Sequence, residues 1–217
     1  DPAGFGAYLT VGTLGGTVTL RDAVTAANNT PGHDIIQFDP ALNGATVTLS
    51  QTTTLLPLHS GARTNEGPTA LRIHSNLELI APAGGLVILP TGLIRLFDIA
   101  AGATMRVERV TLRGGVANNG AGFCNRGALT LDEVTMTSFV ASSLFISNTN
   151  DLGYGACVFN EGKLIARGSY FGFNNGQSSG GAIFSTPPAS LYVTNCTFES
   201  NSSEFSGPAI GTETIDD

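Results

Sequence analysis

The second half of the chain repeats a short pattern of alternating apolar and polar residues. In each copy two apolar positions lie two residues apart, and a second pair with the same spacing follows after a three-residue step. Such alternation is typical of β-strands, whose successive side chains point to opposite faces. The pattern predicts two short strands per repeat, joined by a bend. Aligning the copies gives four mostly apolar columns: Met105, Leu129, Leu164 and Leu191; Val107, Leu131, Ala166 and Val193; Val110, Val134, Ser169 and Cys196; and Leu112, Met136, Phe171 and Phe198.

A further column precedes these four and is followed by polar residues. We align Ile99, Phe123, Val158 and Ile183 in this column. Two positions later stand Asn125, Asn160 and Ser185. Asparagine side chains at equivalent turns bind the backbone groups of the turn, so we expect these residues to stack in a structural ladder.

The repeats differ in length, and this difference bears on the architecture. The first column advances from 105 to 129, 164 and 191, with strands but no helical period in each interval. Repeats of this size are typical of solenoid coils, which bury their apolar faces only against neighbouring coils. Insertions in such coils form loops, often on the binding face. We therefore predict stacked coils whose longer members carry loops.

The N-terminal part has the pattern of a helical cap. Within Thr19–Asn29 the residues Leu20, Ala23, Val24 and Ala27 fall at helical spacing, and a Thr-Pro-Gly stop signal follows. A short amphipathic helix there would cover the open end of a solenoid core. We predict an all-β fold, a right-handed parallel β-helix with a short N-terminal capping helix. A single domain would comprise a cap with the first strands (1–45), stacked coils (46–210) and a tail (211–217).

Composition agrees with a turn-rich β protein. The 217 residues include 28 glycines and no tryptophan, with 12% charged and 41% hydrophobic residues. Charged residues are too few for a helical bundle or a disordered acidic tail, and glycine lacks the collagen period. No apolar run is long enough for a membrane-spanning helix, so we expect no membrane insertion by this chain. We expect many of the glycines at coil corners.

Charge and cysteine spacing exclude some classes of partner and of structural site. The formal net charge is -7 and Lys163 is the single lysine, which disfavours nucleic acid as a partner. Cys124, Cys157 and Cys196 lack the spacing of a zinc site or a disulfide framework. We interpret them as buried thiols that act as small hydrophobic residues. No cofactor is predicted.

The N-terminal region resembles a known family module. Leu20–Val24 and Asp34–Leu42 are similar to the N-terminal module of bacterial extracellular right-handed β-helix proteins, which has a Leu-Arg-Glu-Ala helix and a Phe-Asp-Pro strand end. Leu96–Ile99 and Thr111–Gly115 also match this family, and the resemblance extends over roughly residues 17–200. It implies a β-helix fold.

A second resemblance concerns the last repeats. Gly180–Ile183 followed by Phe198–Asn201 is similar to the paired GGAI and FxxN repeat of chlamydial polymorphic outer-membrane adhesins. Phe171–Asn174 repeats the second half, and Gly207–Ile210 imperfectly begins another copy. This resemblance implies a surface-exposed passenger region. The copies are few, and the chain has no membrane-anchoring barrel sequence.

The sequence offers little for catalysis on polysaccharides. Polygalacturonase-like hydrolysis needs clustered carboxylates, but Asp216–Asp217 stands at the terminus and Gly32–Asp34 in the cap region. Lyase-like elimination needs calcium-binding carboxylates with a basic residue. Asp132 and Glu133 are adjacent and are expected on opposite faces of a strand. Cross-coil ion pairs account for the other charges, which are Asp98, Glu108 and Asp132 with Arg106, Arg109 and Arg113.

Two long excursions are the candidate ligand-binding loops. One lies within Ser142–Tyr154, in a coil about ten residues longer than its neighbours, and the other within Gln51–Pro68. The alternative is that both are surface decoration. The candidate ligand-binding residues are Asn148, Asn150, Asp151 and Tyr154 in the first loop and His59, Arg63 and Glu66 in the second.

The sequence therefore predicts a secreted or cell-surface module with an adhesin-like binding or structural role and no catalytic activity. Expected partners are a glycan or a surface protein of a host or neighbouring cell. The alternative is a carbohydrate-active enzyme of the pectate lyase or polygalacturonase type. We also expect either a longer parent chain or end-on self-association, since an uncapped coil end exposes apolar core and strand edges.

Overall fold

The computed structural model describes residues 8–11, 18–50, 68–142 and 153–213. Its strands form four sheets in which all neighbouring strands are parallel. The largest, sheet A, contains in spatial order β1 (Tyr8–Val11), β2 (His33–Phe38), β5 (Asn76–Ile80), β8 (Thr104–Glu108), β12 (Ala128–Asp132), β16 (Lys163–Arg167) and β20 (Ser190–Thr194). Sheet B contains β3 (Thr46–Ser50), β6 (Leu86–Thr91), β9 (Val110–Arg113), β13 (Thr135–Thr137), β17 (Tyr170–Gly172) and β21 (Thr197–Glu199).

The two remaining sheets close each coil. Sheet C contains β4 (Thr69–Ile73), β7 (Arg95–Ile99), β11 (Phe123–Asn125), β15 (Val158–Asn160), β19 (Ile183–Ser185) and β23 (Ile210–Thr212). Sheet D contains the two-residue strands β10 (Val116–Ala117), β14 (Val140–Ala141), β18 (Asn175–Gly176) and β22 (Ser202–Ser203). From β8 onward the chain passes through sheets A, B, D and C in turn and then begins the next coil. This is the predicted parallel β-helix.

Strand register confirms the apolar columns. In sheet A, Leu129 pairs with Met105 and Leu164, and Leu164 pairs with Leu191. In sheet B, Met136 lies between Leu112 and Phe171. The inward residues of the middle coils have no exposed surface. Their burial in one continuous core is the main stabilising contribution, because each buried aliphatic or aromatic side chain contributes about 1.5–3 kcal/mol.

The column that begins with Ile99 is wrong for this first member and confirmed for Phe123, Val158 and Ile183, which pair in register. Phe123 pairs with Phe97, two residues before Ile99, and Ile99 pairs with Asn125. The rings of Phe97 and Phe123 stack with centroids 5.0 Å apart. The physical reason is the corner between sheets C and A, because the turn that follows Ile99 is two residues longer than the turn that follows Asn125. Counting back from sheet A therefore misplaced the alignment in sheet C.

The polar ladder is confirmed. Asn125 and Asn160 have no exposed surface, and Asn125 Nδ2 donates to Asn160 Oδ1 at 2.7 Å. Asn160 Nδ2 donates in turn to Ser185 Oγ at 2.9 Å. Both amides also bind the backbone of the following coil, at the carbonyl oxygens of Lys163 and Ser190. The ladder thus joins neighbouring coils through buried side chains, in which both amide nitrogens and Asn160 Oδ1 are hydrogen-bonded and Asn125 Oδ1 alone has no partner among the described residues.

The asparagine of the FxxN motif forms a second ladder. Asn174 Oδ1 accepts from the backbone N–H of Phe139, and Asn174 Nδ2 donates to the Met136 carbonyl and to Asn201 Oδ1. The phenylalanine of the motif lies in the core, where the rings of Phe171 and Phe198 stack 4.9 Å apart. The motif is therefore explained by coil stacking.

The bend between sheets A and B changes the interpretation of Glu133. Strand β12 ends at Asp132, and Glu133 has a left-handed φ of 54° and an exposed side chain. The prediction that Asp132 and Glu133 point to opposite faces of a strand is wrong, since Glu133 lies beyond the strand. Arg109 and Asn195 occupy the equivalent bends with φ of 57° and 51°. A shared corner geometry imposes this conformation.

The predicted capping helix is present as α1 (Leu20–Asn29). Its buried residues are those that the pattern indicated: Leu20, Ala23, Val24 and Ala27. At its start the Thr19 side chain accepts from the Asp22 backbone N–H, and the Asp22 carboxylate accepts from the Thr19 backbone N–H at 2.9 Å. This capping box satisfies two N–H groups that the helix leaves unpaired. Within the described residues no helix has the length and apolarity needed to cross a bilayer.

Thr19→Ala is expected to lower the free energy of unfolding by about 1 kcal/mol, because it removes the N-cap acceptor. Thermal or denaturant unfolding measures this loss. Thr25→Ala, at an exposed position within the same helix, is the control and should be neutral or slightly stabilising, since alanine has the higher helix propensity. Equal losses in both variants would contradict a capping role.

The Thr19 hydrogen bonds also lower the pKa of Asp22 below its ordinary value of 3.8. A carboxyl with a lowered pKa stabilises the fold above its unfolded-state value, and that contribution is lost as the pH falls through the lowered pKa. The advantage of the wild type over Thr19→Ala should therefore shrink below about pH 4.

The three cysteines are free thiols. Cys124 and Cys157 are buried as predicted, and burial raises the pKa of the Cys157 thiol well above its ordinary value. Cys196 is only half-buried, because it lies in the last described coil. The Cys157 thiol is thus neutral and acts as a small hydrophobic side chain.

Candidate functional site

The two candidate loops lie largely outside the described residues. This applies to Asn148, Asn150 and Asp151 in one loop and to His59, Arg63 and Glu66 in the other. The chain enters one loop after β3 of sheet B and the other after β14 of sheet D, and after both it returns into sheet C. Their return strands, β4 and β15, are three strand spacings apart in sheet C, or about 14 Å. The assignment of ligand binding to these loops stays a prediction.

Tyr154 is the one candidate residue that the structure describes. Its side chain is half-buried, and its ring lies 4.6 Å from that of Phe184. Its backbone N–H donates to Asn119 Oδ1 at 3.0 Å. Tyr154 packs beside an apolar cluster on the outer side of sheet C, which consists of Cys124, Phe159 and Phe184. These contacts give Tyr154 a structural role.

The outer face of sheet A brings together charged, polar and aromatic side chains that lie far apart in the sequence. Alternation places every second residue of each strand outward, and register aligns these residues across the coils. One outward row contains Ile35, Glu78, Arg106, Thr130, Ile165 and Tyr192. The next contains His33, Asn76, Thr104, Ala128, Lys163 and Ser190. We call this surface the A face.

Arg106 is the centre of an ion-pair network on the A face. Its guanidinium contacts the carboxylates of Glu78 at 3.2 Å, Glu108 at 2.6 Å and Asp132 at 2.8 Å. Burial lowers the pKa of Arg106, but the hydrogen bonds that Arg106 donates to Asp132 and Glu78 outweigh this effect and raise the pKa above its ordinary value. The guanidinium thereby holds the three carboxylates in a fixed arrangement around one cation.

The network extends to both sides across the coils. His33 Nε2 lies 3.0 Å from Glu78 Oε1, and Arg167 Nη1 lies 3.4 Å from Asp132 Oδ1. On sheet C, Asp98 pairs with Arg126 and, at 3.4 Å, with Arg72. The prediction of cross-coil ion pairing is confirmed for Asp98 and Asp132. For Glu108 the prediction is wrong, because its ion pairs are with Arg106 and Arg109 of its own coil.

A shallow cleft of about 230 Å³ lies on the A face beside this network. His33, Glu78 and Arg106 form one part of its wall, and Lys163 and Ile165 form another. The cleft exists because the outward side chains of its middle strands are small. These side chains are Thr104, Ala128 and Thr130. From β2 to β16 the cleft extends over four strand spacings, about 19 Å.

Two side chains at the end of the cleft are free to meet a ligand. Lys163 is exposed and forms no ion pair with a described residue, although it is the single lysine of the chain. Tyr192 lies in register with Ile165 in the next coil and exposes 57% of its surface. An ammonium donor and a broad aromatic face thus lie at one end of a cleft whose other parts carry hydroxyl, carboxylate and imidazole groups. This combination suits a polar ligand with flat apolar faces.

Metal binding gains no support from the described part of the chain. Within it, no group of three His, Cys, Asp or Glu side chains is arranged to hold a metal ion.

Sequence reasoning missed the cleft. It placed His33 in the cap region and did not assign Glu78 or Tyr192 to any site. The available signal was the alternation in β2, β5 and β20, which marks these residues as outward. Extending the repeat alignment back to residue 33 would have been needed to bring them together.

Comparison of the chain with protein-family models, with curated proteins and with solved structures finds no match in any of the three. The stacked parallel architecture is established by the strand register alone.

Proposed function

We propose that this chain is a secreted or cell-surface binding module that recognises a glycan on the A face without cleaving it. The observation that carries the proposal is an exposed aromatic ring beside the cleft: Tyr192 lies in register with Ile165 of the cleft wall, one strand from Lys163, which forms no ion pair with a described residue. Sugar rings present apolar faces that stack on aromatic side chains, and their hydroxyl groups need hydrogen-bond partners. The resemblance of the GGAI and FxxN repeats to surface adhesins supports the location.

The ion pairs of the carboxylates favour binding over hydrolysis. A glycosidase needs two carboxyl groups that flank the scissile bond and reach the substrate. Glu78, Glu108 and Asp132 instead all contact the Arg106 guanidinium. Each is also held in place by this contact. The arrangement supplies a rigid, charged wall, as a recognition surface requires.

Tyr192→Ala is expected to weaken glycan binding by about tenfold, because it removes the stacking surface. Lys163→Ala should weaken binding of carboxylated or sulfated glycans by several-fold more than that of neutral ones. A glycan array followed by calorimetry on the strongest ligand measures both effects. Tyr170→Ala, on the outer face of sheet B, is the matched control and should leave affinity unchanged.

The same ligands decide between binding and catalysis. Incubation with and without calcium, followed by analysis of chain length, should show intact glycan. Cleavage that is lost in Asp132→Asn would support the enzyme alternative and overturn the proposal. Unchanged affinity in both Tyr192→Ala and Lys163→Ala would remove the A face as the binding surface.

A further inference from the structure

The corner between sheets B and D carries an exposed phenylalanine in a strained backbone conformation. Phe173 follows β17 with a left-handed φ of 57° and exposes 59% of its surface. Gly114 and Ser138 occupy the same corner in the two preceding coils, with φ of 70° and 62°. A bulky side chain is an outlier in the left-handed region, where glycine and small polar residues are usual. The corner therefore does not require a phenylalanine, and a strained, exposed aromatic residue indicates a contact surface.

Apolar side chains continue along this corner in the three preceding coils. Val116 and Val140 pair in sheet D, and both face outward because the next residue of each strand faces the core. One coil earlier, Leu93 lies in the turn between β6 and β7 and exposes 56% of its surface. The Val116 N–H donates to the Ile94 carbonyl at 3.2 Å, which places Leu93 beside the same corner. Leu93, Val116, Val140 and Phe173 extend over three strand spacings, about 14 Å, and we call them the BD strip.

A cation without a partner borders the BD strip. Arg113 ends β9 directly before the corner, and its exposed side chain forms no hydrogen bond or ion pair with a described residue. Every other arginine that the structure describes contacts a carboxylate or a backbone carbonyl. Arg113 shares a row with Thr137 and Gly172, the residue before Phe173. The backbones of Arg113 and Phe173 are therefore about 10 Å apart, within reach of one short segment.

From the strained Phe173, the apolar row and the unpaired Arg113 we infer that the BD strip docks an acidic segment of another protein. Apolar side chains of the segment cover Phe173 and the two valines, and a carboxylate of the segment pairs with the Arg113 guanidinium. Aromatic and arginine side chains are the ones that most often dominate the free energy of protein association. The BD strip lies on other sheets than the A face, so this contact is independent of glycan binding.

Charge disfavours two other occupants. The BD strip and Arg113 include no carboxylate, so two copies joined by their strips would leave both guanidinium groups without a partner. An anionic bilayer attracts clusters of basic residues, whereas Arg113 is a single cation on a chain with a net charge of -7. A separate protein segment that supplies the carboxylate satisfies both the charge and the apolar row.

A library of short random peptides displayed on phage supplies the probes. Selection on the full wild-type chain, with the Arg113→Gln chain for counter-selection, should enrich sequences that carry Asp or Glu near Leu, Phe or Trp. An enriched peptide, labelled for fluorescence anisotropy, should bind saturably and more weakly as salt is raised from about 20 to about 200 mM. An analogue whose acidic residue is replaced by its amide should bind about tenfold more weakly.

Variants of the full chain locate the binding. Phe173→Asn should weaken peptide binding by about tenfold or more, since it removes the aromatic anchor. It should also leave Tm unchanged or raise it by about 2 °C, because asparagine tolerates the left-handed conformation. Arg113→Gln should weaken binding about fivefold at low salt. Tyr192→Ala, which removes an equally exposed aromatic ring on the A face, is the matched control and should leave peptide affinity unchanged.

Four results would overturn the inference. The first is a selection that yields no acidic sequence able to distinguish the wild type from Arg113→Gln, and the second is equal affinity for the acidic peptide and its amide analogue. The third is a lower Tm of Phe173→Asn, which would show that the fold requires the phenylalanine. The fourth is a wild-type dimer in sedimentation, or adsorption to phosphatidylglycerol vesicles, that Phe173→Asn abolishes. This last result would assign the BD strip to a second copy or to a membrane surface.

Discussion

Gly155→Ala is expected to lower the free energy of unfolding by about 4 kcal/mol. Gly155 has a left-handed φ of 55°, and a Cβ there would lie 2.2 Å from the Val158 carbonyl oxygen and 2.7 Å from the Phe184 backbone nitrogen. The left-handed conformation costs alanine about 1–2 kcal/mol, and relieving the overlap costs about 1–3 kcal/mol more. Both neighbours are backbone atoms in sheet C, so relief requires movement of a coil. Chemical denaturation measures the change.

Gly102→Ala separates the two contributions. Gly102 also has a left-handed φ, 83°, but nothing lies within 4 Å of its added Cβ. Only the conformational cost of about 1–2 kcal/mol applies. If both variants lose the same free energy, the close approach at Gly155 is not what requires glycine there.

Asn160→Ala is expected to cost about 3 kcal/mol. The Asn160 side chain is fully buried, accepts from Asn125 Nδ2, and donates to Ser185 Oγ and to the Ser190 carbonyl. Alanine removes the Asn160 amide, so Asn125 Nδ2, Ser185 Oγ and the Ser190 carbonyl each lose a hydrogen bond. Each buried polar group left without a partner costs about 1–3 kcal/mol.

Asn175→Ala provides the matched control for the ladder. Asn175 is exposed in β18, and its side chain forms no hydrogen bond with a described residue. Its replacement should change the free energy of unfolding by less than about 0.5 kcal/mol. Similar losses in the two variants would show that the ladder does not stabilise the coil stack. Near-ultraviolet circular dichroism, which follows the stacked aromatic residues, provides an independent measure of coil packing.

The sequence was sufficient to predict which side chains point into the core. Leu129, Leu164 and Leu191 share one column because their alternation continues through a strand and their coils stack in register. Asn125 and Asn160 were recognisable because a polar residue recurred at a fixed offset within an apolar pattern. Local spacing determines both features, and the structure confirms them. The same reasoning identified the apolar stripe of α1.

The arrangement of the outward-facing side chains was harder to predict from the sequence. His33, Glu78 and Arg106 come from three coils, and their meeting depends on coil lengths that vary at the corners. The error at Ile99 has the same cause. Outward residues also have no hydrophobic column to align them, since solvent accepts many side chains there. Strand register was therefore needed to find the cleft, and the two-residue strands of sheet D carry too little pattern to be predicted.

The corner between sheets C and A shows how this scaffold accommodates change. The turns after Ile99 and Ser185 are two residues longer than those after Asn125 and Asn160, yet the strands on either side keep their pairing. The extra residues are accommodated in the turn, and the strand pairing with the neighbouring coils is unchanged. This corner is therefore a natural place to graft foreign peptides, such as an epitope for display, without redesigning the core.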